Sequence, residues 1–185
     1  MIHYQTACGG LINVPHQAQL RLNARPDVLA HLHAAIGQIH LPESPRRIEQ
    51  EIDMGQIIGR SNFVKTKPLQ LRERALFSCR MFRMMPSRVV NSGELGEETS
   101  KIVVIARPTR NRNKDDQIQY DLIISWIGII ANTEPWDICI AERADFEECL
   151  AFWSTTALVY EPDIMGPVVE CSFHDILILA NSRFL

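Results

Sequence analysis

KIVVIARPTRNRNKDDQIQYDLIISWIGII, residues 101–130, is the stretch on which the fold class turns. Its opening, KIVVIARP, is a short and nearly continuous apolar strand, and NRNKDDQ at 111–117 is a polar hairpin connection. YDLIISWIGII at 120–130 is apolar on both faces, the pattern of a strand buried in the middle of a sheet. The run around 122–131 is broken by Ser125 and Gly128 and falls short of the roughly 18–20 apolar residues that span a bilayer. The sequence therefore predicts no membrane partner.

Working outward, residues 75–83 alternate, with Ala75, Phe77, Cys79 and Met81 on one face and Ser78, Arg80 and Phe82 on the other. Joined to the hairpin, they predict a β-meander over 75–130. MGQIIGRSNFVKT reads as one or two strands, and MIHYQTACGGLINV as an early strand interrupted at Gly9-Gly10. RRIEQEID reads as a short helix or turn, and DILILA near the C-terminus as an edge strand. Val28, Leu29, Leu32, Ala35, Ile36 and Ile39 recur at helical spacing behind Pro26, so a helix is predicted over about 26–40. Phe146, Cys149, Leu150 and Trp153 at i, i+3, i+4 and i+7 predict a second helix. With no repeat, linker or low-complexity tract, the expectation is one α+β domain, 1–185. An N-terminal and a C-terminal helix would pack on a mainly antiparallel meander.

The composition, 46% hydrophobic and 22% charged over 185 residues, is that of a chain able to build a packed core. The opening lacks the basic and apolar regions of a secretory signal, and the five cysteines are odd in number with no CxxC pair. Both features fit a reducing, cytoplasmic setting.

Charge is uneven. Residues 55–114 carry thirteen basic and four acidic side chains, whereas residues 115–185 carry two basic and thirteen acidic ones. The densest part, 65–88, sets seven cations against Glu73 alone. A phosphate polyanion such as RNA is attracted to such a patch by Coulomb forces and counterion release. The alternative is that the basic and acidic segments neutralise each other, within the fold or across a homodimer or protein partner.

Catalytic motifs are sparse. The six histidines, among them His31, His33 and His40, lack the i, i+4 spacing of a helical metal pair, and no metal or cofactor is indicated. GQIIGR lacks the ending of a phosphate-binding loop, and GxSxG and HExxH are absent. Cys171 and His174 are close in sequence, but Glu170 and Asp175 make their surroundings acidic, which suits an ordinary thiol. The remaining constellation is cationic and hydroxylic. It comprises Arg60, Lys65, Thr66, Arg80 and Arg88 with Thr99, Ser100 and Ser125, and His16 is the available base because it lies in a polar stretch outside the clear helix.

The runs GRSNFVKT, FSCRMFRMMPSRVV, EETSKIVVIARP and DLIISWIGIIANTEPWD, over roughly 50–140, resemble a pattern in uncharacterised prokaryotic proteins. The helix followed by a meander with Lys, Arg and Ser/Thr resembles, more distantly, the barnase, colicin and endoribonuclease-toxin superfamily. That resemblance implies a metal-independent ribonuclease without cofactor. Catalysis would fall to His16, Lys65 and Arg80, and phosphate contact to Arg60, Thr66, Arg88, Thr99, Ser100 and Ser125. The competing expectation is a non-enzymatic interaction or structural module.

Overall fold

The computed structural model describes residues 2–79, 86–91, 93, 96–113, 116–137, 139–140, 142–162 and 165–180, so the expectation for Arg80 lies outside the described residues. In chain order the elements are β1 (Ile2–Gln5), β2 (Leu11–Val14), α1 (His16–Asn23), α2 (Pro26–Ile36), β3 (Ile48–Asp53), β4 (Gly59–Arg60), β5 (Phe63–Lys65), β6 (Arg74–Cys79), β7 (Pro86–Val90), β8 (Glu98–Thr99), β9 (Lys101–Arg112), β10 (Ile118–Ile127), α3 (Arg143–Thr155), β11 (Thr156–Val159), β12 (Val169–Ser172) and α4 (Phe173–Ala180). The class is α+β. By contacts the chain forms two compact units, Met1–Ser61 with Glu98–Ile130, and Asn62–Glu97 with Ala131–Leu185.

The first unit is built on the sheet β1-β2-β10-β9-β3. Strand β10 lies at its centre, as its two-sided apolarity predicts. It pairs antiparallel with β9 and parallel with β2. Residues 102–106 of β9 are all buried, and the pairing with β10 carries irregularities near Tyr120 and Ile124. Helix α2 contributes Val28, Leu32, Ala35 and Ile36 to the same buried cluster as Ile102, Val104, Tyr120 and Leu122. Each Val, Leu or Ile side chain among them, fully withdrawn from water, contributes about 1.5–3 kcal/mol.

Two local readings change here. RRIEQEID yields strand β3, paired antiparallel with β9, because only Ile48 and Ile52 are buried while Glu49, Glu51 and Asp53 alternate outward. That i, i+4 pair of isoleucines suits helix and strand equally, and the β9 ladder decides between them. His16 lies outside the helix expected over about 26–40, but the polar stretch that holds it is itself helical, α1, since Ala18 and Leu22 give that segment a buried face.

The second unit has the mixed sheet β12-β6-β7-β11-β5. Strand β11 runs parallel to β7 and antiparallel to β5, and β12 pairs antiparallel with β6. The strands expected to form one meander over 75–130 thus divide, with β6 and β7 in this sheet and β9 and β10 in the other. Strand β6 finds its outer partner in β12, far along the chain. The core is aromatic. Phe77, Trp136 and Phe173 make edge and tilted contacts at 5.4–5.7 Å, and Trp136 Nε1 donates to the Pro86 carbonyl at 2.8 Å.

DILILA forms helix α4, not an edge strand. Ser172 Oγ accepts from the Asp175 N–H at 3.1 Å, and Asp175 Oδ2 accepts from the Ser172 N–H at 3.1 Å. This reciprocal cap satisfies two donors that a helix start otherwise leaves open. The Asp175 carboxyl is held below its ordinary range, first by the Ser172 hydroxyl and then by the Ser172 N–H.

Candidate functional site

Arg88 occupies the middle of β7, opposite Phe77, and is only 8% exposed. Its Nη1 donates to Ser154 O at 2.7 Å and to Trp153 O at 3.2 Å. Those carbonyls belong to the last turn of α3, where no residue remains to donate to them along the helix. The segment following β5 completes the end, because Thr66 N–H donates to Thr155 O at 2.8 Å and Leu69 N–H to Ser154 O at 2.9 Å. A buried guanidinium, three terminal carbonyls and two backbone amides thus close the negative pole of α3. Burial pushes the Arg88 pKa down from its ordinary value, against the attraction of Glu73. The charge persists, since an arginine keeps its proton across the physiological range.

The rest of the basic segment in this unit is on the surface. Lys65 is 80% exposed at its side chain and lies 3.9 Å from Glu97. Thr66 Oγ1 donates to the Lys67 carbonyl at 3.1 Å. Arg74 reaches across to β12, donating to Glu170 O at 2.8 Å with its Nε 3.6 Å from the Glu170 carboxylate.

The remaining expected residues belong to the first unit. Arg60 and Thr99 share the small β4–β8 ladder, and Arg60 lies 3.7 Å from Glu98. Thr99 Oγ1 accepts from the Lys101 N–H at 3.1 Å. Ser100 bonds the Asp53 carboxylate, which with the Gly55 N–H and nearby Lys101 keeps that group below its ordinary range. Lys101 Nζ donates to Glu51 at 2.5 Å, and this partner raises its pKa. Ser125 Oγ is buried and donates to Val103 O at 2.7 Å. His16 is exposed on α1.

The structure therefore gathers Lys65, Thr66 and Arg88 around one helix end in one unit, and Arg60, Thr99 and Ser100 around a small ladder in the other. Clefts of about 370 Å³ and 450 Å³ lie in the first unit, and none of the expected residues lines either one. Among the described residues, no three His, Cys, Asp or Glu side chains converge as a metal ion requires. No helix among them is long and apolar enough to cross a membrane. Burial, followed by the charge of Asp175, raises the Cys171 thiol, which suits an inert side chain. The α3 terminus is barely marked in the sequence as an acceptor for Arg88. Its one signal was a helix ending at Ser154-Thr155 without glycine, lysine or arginine of its own to close it.

In comparisons with family models, curated proteins and solved structures, nothing matches this chain.

Proposed function

We propose that the protein is a non-enzymatic interaction module whose middle-third cations are part of its own framework. The observation that carries this reading is Arg88, the most buried of the expected phosphate ligands, engaged by the backbone at the end of α3. Arg60, Lys65, Arg74 and Lys101 each lie beside a carboxylate of the chain. The Arg74–Glu170 pair also joins the basic middle to the acidic C-terminal third. The second reading, an RNA-binding or ribonuclease-like domain, draws on the exposed Lys67, Arg72, Arg107 and Arg110.

Incubation of the full chain with mixed RNA at low and moderate salt tests the two. The module reading expects intact RNA, and an affinity that Lys65→Ala and His16→Ala leave unchanged. Cleavage by the wild type that is abolished in a folded His16→Ala or Lys65→Ala variant overturns it and establishes the nuclease.

A further inference from the structure

The sheet of the first unit ends at two strands, the four-residue β1 and the six-residue β3. Backbone geometry fixes which groups of β3 point outward. Met54 N–H donates to Ser100 O at 2.8 Å, one step beyond the pairing of Asp53 with Lys101. Ile52, Gln50 and Ile48 therefore direct their backbone groups at β9, and the residues between them direct theirs away. Those residues are Arg47, which immediately precedes β3, then Glu49, Glu51 and Asp53. Among the described residues nothing donates to or accepts from their outward N–H and C=O groups. An edge left in this state is a template for another strand. Open space adjoins it, since the cleft of about 450 Å³ is lined by residues 46–50 together with His40 and Pro42.

Charges along an edge ordinarily keep other strands away, and here they select one. Arg47 and Glu49 lie 2.7 Å apart on one face of the chain, at i and i+2, with side chains 58% and 42% exposed. A second copy brought up antiparallel, about a twofold axis at Ile48, sets Arg47 of each copy opposite Glu49 of the other. Each of these pairs exchanges two backbone hydrogen bonds, and Ile48 faces Ile48 between them. The four exposed side chains then alternate in sign around a square, because the pair within each copy is joined by the pair across the axis. Arg46 lies opposite Gln50, and Pro45, which has no N–H to donate, ends the pairing. Other twofold registers set like charges together. An axis at Arg47 or at Glu49 places that residue against itself, and one at Gln50 places Glu49 against Glu51. Axes further along oppose only carboxylates. A foreign strand of a single charge sign meets a like charge at either Arg47 or Glu49.

We propose that the protein self-associates through the β3 edge, with residues 46–50 of two copies paired antiparallel about Ile48 so that the two sheets become continuous. The occupant of the edge is a second copy of this chain, chosen by backbone pairing and by the alternation of Arg47 and Glu49. Arg88 takes no part in this contact, so the outcome of the RNA experiment does not bear on it.

Sedimentation velocity of the full chain, from ~1 to ~300 µM near neutral pH, tests for a reversible monomer–dimer equilibrium, which is the expected result. Arg47→Glu and Glu49→Arg each set like charges across the axis and should raise the dimer dissociation constant at least ~10-fold. The double exchange, Arg47→Glu with Glu49→Arg, should return it to within ~3-fold of wild type. Lys65→Glu, in the second unit, should leave it unchanged. In the wild type the Arg47 and Glu49 amides should exchange slowly with solvent in the dimer and quickly on dilution. A chain that stays monomeric throughout overturns the proposal. So does a dimer indifferent to the single exchanges, one not restored by the double exchange, one dissolved by Lys65→Glu, or one whose Arg47 and Glu49 amides exchange as freely as in the monomer. The wild-type arms decide by themselves if a variant does not fold.

Discussion

Replacing Arg88 by methionine separates a framework role from a phosphate-binding one. Methionine keeps an unbranched stem in the buried position and removes the donors that hold Trp153 O and Ser154 O. A buried carbonyl left without a donor costs about 1–3 kcal/mol. Trp153 is wholly inaccessible, so its carbonyl bears the full cost, whereas Ser154 O retains the Leu69 N–H and suffers less. Losing a partly buried cation at the negative end of a helix adds up to about 2 kcal/mol. Relief from desolvating the guanidinium offsets part of this, and the net expected loss is about 2–4 kcal/mol. Lys65→Ala, which removes a single exposed pair at 3.9 Å, is expected to change stability by no more than ~0.5 kcal/mol. Urea unfolding followed by tryptophan fluorescence measures both, with equal slopes confirming a common denatured state. An Arg88→Met protein as stable as Lys65→Ala would refute the argument. A stable variant that loses RNA affinity shown by the wild type would replace it with phosphate binding.

The cap of α4 and the aromatic core give further expectations. Ser172→Ala removes the one hydroxyl that both accepts from the Asp175 N–H and donates to its carboxylate, and should cost about 1 kcal/mol in urea unfolding. Asp175 has a folded pKa below its unfolded value, so its contribution is complete above about pH 4 and disappears as pH falls through the folded value. Thermal melts across that acid range should therefore decline more steeply for the wild type than for Asp175→Asn. Trp136→Phe strands the Pro86 carbonyl and leaves a void beside Phe77 and Phe173. A loss of about 2–4 kcal/mol is expected by the same unfolding assay.

Elements with one dominant periodicity were legible in the chain itself. Strand β10 announced its central place by carrying apolar residues on both faces, and α3 by Phe146, Cys149 and Trp153, all buried in the structure. The EPWD turn is also structural, with Trp136 fully buried and Asp137 Oδ1 accepting from the Cys139 N–H at 2.9 Å. Segments compatible with two periodicities were misread. Ile48 and Ile52 fit a helix as well as a strand, and the aliphatic run of α4 resembles a buried strand until the Ser172–Asp175 cap is weighed. The division into two sheets was not legible, because β6, β7 and β5 find partners in β12 and β11 through tertiary pairing alone. The same distance hid the role of Arg88. Charge density along the chain placed it only as the last cation of the basic run, and the placement of the α3 terminus shows what that charge neutralises.

The interleaving of the two units also constrains the order in which the chain can fold during synthesis. The first unit stays incomplete until β9 and β10 have been made, so the hairpin of β1 and β2 must wait for its third strand. Meanwhile β6 and β7 emerge with β11 and β12 still untranslated, and their outer edges have no strand to pair with. Closing such long loops is slow, and exposed strand edges invite pairing with other chains. Ribosome-bound chains stalled only after residue 130 has cleared the exit tunnel should accordingly protect the first unit from protease while the excursion between Ser61 and Glu98 remains cleavable.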